Sequence, residues 1–148
     1  MRQEFTATIL VAEDDQRMLT LVERFLADAN FRVVPATNGF EALEAFRIAP
    51  DQIDLFLTDF NMPVLNGFEA AARIREARPE MPVIFMSAYA EAMRVPGGSL
   101  FLRKPFSPDK LVAAVAGCLM GAGNSADMGL DQSAPMGSAL SSQFRPPC

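Results

Sequence analysis

The chain has 148 residues, 18 acidic against 13 basic side chains, a formal net charge of −5, and half of its residues are hydrophobic. That length accommodates one domain with a proper core, and no apolar run approaches the roughly 18 residues that would cross a membrane. An acidic balance without a Lys/Arg cluster argues against a nucleic-acid surface. With no histidine and only Cys118 and Cys148, a zinc site, a Cys/His pair and a Ser-His-Asp triad are excluded.

Met1-Arg2-Gln3-Glu4 leads straight into the first apolar run, with nothing resembling a signal peptide, so a cytoplasmic protein is expected. Strand-like runs occupy residues 6–12, 31–36, 54–58, 83–86 and 99–103. Helical patterns alternate with them, which is the signature of parallel βαβ units. In the first helix, Met18, Leu21, Val22, Phe25, Leu26 and Ala29 recur at helical spacing, behind Asp15 as an N-cap. The second opens at Asn38-Gly39 and is expected to turn Phe40, Leu43 and Phe46 inward. The third starts near Gly67, behind the turn at Asn66, and is stopped by Pro79.

Residues 88–98 are short for a parallel crossover, which usually takes about a dozen residues or more. Pro96-Gly97-Gly98 ends them, so the helix there is expected to be stunted. The last helix has Ser107 as cap, Pro108 in its first turn, and Leu111, Val112, Val115 and Leu119 on one face. From Gly121 the chain turns rich in Gly, Ser and Pro, with only Asp127, Asp131 and Arg145 charged. Two regions follow: a folded domain over 1–120 and a disordered tail over 121–148.

The chemistry gathers where the strands end. Glu13 and Asp14 follow the first strand, Asp59 the third, Ser87 the fourth and Lys104-Pro105 the fifth. In a parallel sheet all of them share the carboxyl edge, where such sheets place their ligand sites. Three carboxylates that close require either a raised pKa or a cation, and an oxygen-only donor set suits Mg2+. A carboxylate nucleophile beside a metal, a lysine and a hydroxyl is a set suited to phosphoryl transfer, with an aspartyl phosphate as product.

The segments Ile9-Leu10-Val11-Ala12-Glu13-Asp14-Asp15, Leu57-Thr58-Asp59-Phe60-Asn61-Met62-Pro63, Asn66-Gly67, Phe85-Met86-Ser87-Ala88 and Phe101-Leu102-Arg103-Lys104-Pro105-Phe106 resemble bacterial response-regulator receiver domains. The resemblance implies a flavodoxin-like three-layer α/β fold, with a five-stranded parallel sheet in the order 2-1-3-4-5. It implies Asp59 as phosphoacceptor, and Glu13, Asp14, Asp59 and the Asn61 carbonyl as Mg2+ ligands. Ser87 would be the switch hydroxyl, Phe101 the switch aromatic or simply a core aromatic, and Lys104 the catalytic lysine, with a cis bond to Pro105. Asn61 and Tyr89 would tune phosphoryl lifetime, leaning toward slow self-hydrolysis.

The implied partner is a histidine kinase or histidine phosphotransfer protein. Leu19 is expected to lie exposed off the inward stripe; with Met18 it would form a docking contact, or stand as an ordinary surface leucine. Output would pass to a downstream protein target, with no nucleic acid, no membrane and no conventional enzymatic turnover. The gap from Ser87 to Lys104 is shorter than the family pattern and is more like receivers attached to hybrid histidine kinases. A phosphorylation-independent scaffold is the first rival. The second is a haloacid-dehalogenase-like phosphatase, whose Asp-x-Asp signature differs from Glu13-Asp14-Asp15 here.

Overall fold

A computed structural model describes residues 6–88 and 99–120. The elements run β1 (Thr8–Ala12), α1 (Gln16–Asp28), β2 (Arg32–Ala36), α2 (Gly39–Ile48), a 3-10 turn (Pro50–Gln52), β3 (Leu55–Asp59), α3 (Gly67–Ala77), β4 (Val83–Ser87), β5 (Ser99–Arg103) and α4 (Pro108–Met120). All strand pairings are parallel and the order is β2-β1-β3-β4-β5. This is the flavodoxin-like order with helices on both faces, as the resemblance implied. The stunted helix expected within residues 88–98, with Tyr89, falls almost wholly outside the described residues, as does the tail over 121–148.

Alternation along the strands divides the core in two. Ile9, Val11, Leu55, Leu57, Ile84, Met86 and Leu102 pack toward α1 and α4. Leu10, Ala12, Phe56, Val83 and Phe85 pack toward α2 and α3. Being covered on both faces explains why the central strands read as continuous apolar runs. Each α-helix among the described residues begins at the carboxyl edge behind a side-chain cap, Asp15 and Ser107 as expected and Asn38 and Asn66 in addition. Asp15 Oδ1 accepts from Arg17 N at 3.0 Å, Asn38 from Glu41 N at 2.8 Å, Asn66 from Glu69 N at 2.8 Å, and Ser107 Oγ from Lys110 N at 3.1 Å.

Two inward-facing assignments are corrected. Leu19 is 3% exposed and belongs to the core, while Leu21 is 44% exposed. The buried stripe of α1 is Leu19, Val22 and Leu26, with Met18, Phe25 and Ala29 half-buried beside it. Positions 18-22-25-29 and 19-22-26 are adjacent stripes on one wide apolar face, because α1 meets both β2 and α4. Leu19 is therefore unavailable as a docking residue. In α2, Phe40 is half exposed and the inner positions are Gly39, Ala42, Leu43 and Phe46. Gly39 takes the inward place because a Cβ there would overlap the Leu65 carbonyl, and Phe40 is turned away by one helical step of about 100°.

Truncating Leu19 to Ala is expected to cost about 2–4 kcal/mol, and Leu21→Ala at most about 0.5 kcal/mol. Urea melts of the two variants separate a core Leu19 from a surface one.

Candidate functional site

The register aligns Ala12 with Thr58, Asp59 with Met86, and Ser87 with Arg103. The residues that end β1, β3, β4 and β5 therefore meet in one row at the carboxyl edge. Ligand oxygens of Glu13, Asp14 and Asp59 lie within 4.8 Å of one another. Asp14 is exposed, Asp59 half-buried and Glu13 only 1% exposed.

A glutamate buried to that degree needs partners for both oxygens. Glu13 Oε1 accepts from Lys104 Nζ at 2.9 Å and Oε2 from the Asp15 amide at 3.1 Å. The same ammonium reaches Asp59 Oδ1 at 3.3 Å. Lys104 is delivered to this position from the end of β5, where its amide donates to the Ser87 carbonyl at 2.9 Å. The bond to Pro105 is cis, as the resemblance implied. Burial by itself would lower the Lys104 pKa, but its bond to Glu13 and the charge of Asp59 outweigh that and hold it above the ordinary value.

Asp59 ends β3. Its Oδ1 accepts from the Phe60 amide at 3.0 Å. Burial, reinforced by the charge of Glu13 and only partly offset by Lys104, pushes its carboxyl up to about 6 from the ordinary 3.8. Three carboxylates thus face one ammonium. A hard divalent cation fits such a donor set, because oxygen ligands around an exposed Asp14 leave room for its waters.

Asp15 is a cap and lies outside the carboxylate trio. Ser87 is buried at the end of β4, one residue beyond the register partner of Asp59. Asn61 is exposed two residues past Asp59. Phe101 is half-buried on β5, in register with Phe85. Met18 is half-buried on α1.

Three contributors were not singled out from sequence. Thr58 donates its hydroxyl to the Asp59 carbonyl at 2.9 Å. The Phe60 amide serves Asp59 through the main chain, and its ring forms an aromatic cluster with Phe68 and Phe85, centroids 5.7–6.2 Å apart. Gly67, read from sequence as part of a turn, closes the loop after Asp59 through its amide to the Phe60 carbonyl at 3.2 Å, and a Cβ there would overlap the Asp59 carbonyl. Only the Asn-Gly pair could have signalled any of the three.

The sequence profile of the response regulator receiver domain matches residues 9–116. The chain belongs to that family. Receivers are phosphoacceptor signalling domains of two-component systems, and they work with histidine kinases or phosphotransfer proteins. The chain is 36% identical over 80 residues to the autoinducer 1 sensor kinase/phosphatase LuxN of Vibrio campbellii, covering 54% of this chain and 9% of LuxN. It is 33% identical over 112 residues to the transcriptional regulatory protein YrkP of Bacillus subtilis, covering 72% of this chain and 47% of YrkP. The chain thus spans less than half the length of either relative. A response regulator receiver protein from Sinorhizobium medicae superposes with TM-score 0.71 at 31% identity, over 78% of this chain and 95% of that one. Among the described residues of this receiver, no helix is long and apolar enough to cross a membrane.

The raised Asp59 pKa links folding to pH. Between about pH 4 and 6 the folded protein holds a proton that the unfolded chain releases, so stability contributed by protonated Asp59 is lost as pH rises through about 6. Without metal, Asp59→Asn is expected to stabilise the receiver at pH 7 by about 1–2 kcal/mol, the partial exposure of the carboxylate discounting the full effect. The gain should shrink toward zero near pH 4. Denaturant melts at both pH values check it; an equal gain at both would exclude the charge as its cause.

Proposed function

We propose that this receiver accepts a phosphoryl group on Asp59 from a phosphohistidine of a kinase or phosphotransfer partner, and that Mg2+ is its cofactor. The observation that carries this reading is the shared ammonium of Lys104, bonded to Glu13 and Asp59 at once beside the exposed Asp14. Mg2+, held by Glu13, Asp14, Asp59 and the Asn61 carbonyl, would neutralise charge on the phosphoryl oxygens. A carboxylate oxygen of Asp59 attacks phosphorus; the P–O bond forms as the P–N bond to the partner imidazole breaks, and the imidazole leaves with the electron pair.

Lys104 then follows the negative charge from the carboxylates to the phosphoryl oxygens, and the Ser87 hydroxyl supplies a further donor. Its departure releases the end of β5, and repacking of Phe101 on the same strand carries the change to the surface. Such a switch needs two states separated by only a few kcal/mol, so that the phosphoryl contacts can shift the population.

Docking involves the upper part of α1, where exposed Leu21 stands one turn from half-buried Met18. The likeness to part of a sensor kinase/phosphatase supports a kinase as the source of the phosphoryl group. The receiver works in the cytoplasm without conventional turnover. Output passes through protein contacts.

Incubation with acetyl phosphate is expected to add one phosphoryl group to the intact protein, read by mass spectrometry. The gain should require Mg2+ and vanish in Asp59→Ala. Folded protein that gains nothing from acetyl phosphate or from a phosphohistidine donor would point instead to a scaffold that works without phosphorylation.

A further inference from the structure

The Asp59–Phe60 peptide group is gripped at both ends. At one end the Thr58 hydroxyl donates to the Asp59 carbonyl at 2.9 Å. At the other, the Phe60 N–H is shared between the Met86 carbonyl of β4 at 3.0 Å and Asp59 Oδ1 at 3.0 Å. Carbonyl and N–H belong to one rigid plane, so the hydroxyl that fixes the first also aims the second. The second, in turn, orients the carboxylate that faces Lys104.

Thr58 is completely buried, and its hydroxyl spends its proton on this one carbonyl rather than on solvent. The other flank is closed by Gly67, where a Cβ would lie 2.8 Å from Thr58 Oγ1 and overlap the Asp59 carbonyl. No side chain fits between them, so α3 presses the Thr58–Asp59 contact shut. An apolar side chain would serve the core equally well at position 58, whose neighbours Phe56 and Phe85 are apolar. The hydroxyl does something that packing does not require.

We propose that Thr58 is a positioning residue for phosphoryl transfer, setting the tilt of the Asp59–Phe60 peptide and through it the rotamer of the Asp59 carboxylate. The proposal rests on Asp59 as the phosphoacceptor. Its effect is on rate, because a reacting atom displaced by about an ångström can cost up to about a hundredfold.

The test compares full-length wild type with Thr58→Val, which keeps the shape and removes the hydroxyl, and Thr58→Ser, which keeps the hydroxyl. In 15N-labelled, metal-free protein, Thr58→Val should speed exchange of the Phe60 amide about tenfold relative to the Leu57 amide of the same strand. With Mg2+ it should slow phosphorylation by acetyl phosphate about tenfold. Thr58→Ser should stay within about twofold of wild type on both measures. Folded Thr58→Val that matches wild type on both, or Thr58→Ser that fails as Thr58→Val does, would overturn the proposal and leave Thr58 a packing residue. If wild type takes no phosphoryl group, the acceptor reading fails, and the Phe60 amide alone decides the positioning. If Thr58→Val does not fold, the wild-type Thr58 hydroxyl proton decides: protection from exchange supports the bond, and free exchange overturns it.

Discussion

One ammonium group organises the carboxyl edge of this protein. Lys104 Nζ is bonded to the buried Glu13 and reaches Asp59 from the same position. Without it, three carboxylates would share a small volume with no counter-charge, and burying Glu13 would be prohibitive. With it, the trio still holds more negative than positive charge, and burial together with the charge of Glu13 raises the pKa of Asp59. The site is therefore stable enough to exist and unbalanced enough to welcome a cation and a phosphoryl group.

The fold supplies this balance through connectivity. Glu13, Asp59 and Lys104 sit on the ends of β1, β3 and β5, far apart in the chain but aligned by parallel register. Helix caps at Asp15, Asn38, Asn66 and Ser107 close the loops that follow β1, β2, β3 and β5. The same short loops place main-chain donors, the amides of Asp15 and Phe60, against the carboxylates. The charged groups themselves all lie within two residues of the ends of β1, β3 and β5.

Much of this was legible in the sequence, for identifiable reasons. Apolar runs ending at Glu13-Asp14, Asp59, Ser87 and Lys104 share one carboxyl edge in any parallel sheet, so the site edge was legible from the residues, whereas the strand order came from the resemblance to receiver domains. Helix phase was harder. On α1 two adjacent apolar stripes fit the sequence equally, and contact with both β2 and α4 placed Leu19 inside and Leu21 outside. On α2 the inward place of Gly39, and with it the exposure of Phe40, depends on backbone contact with Leu65. No periodicity shows that contact. The parts played by Thr58 and the Phe60 amide were hidden for a related reason: one reads as a strand residue, the other belongs to the main chain.

The proposed phosphoryl transfer makes an Asp59 carboxylate oxygen the atom that bonds to phosphorus. The most direct measurement is chemical: phosphorylate the protein, reduce the acyl phosphate with borohydride, and map the peptides. An aspartyl phosphate is converted to homoserine, and the account predicts that conversion at Asp59 alone. Homoserine at Asp14, or a phosphoryl group that resists reduction because it is esterified to Ser87, would contradict it.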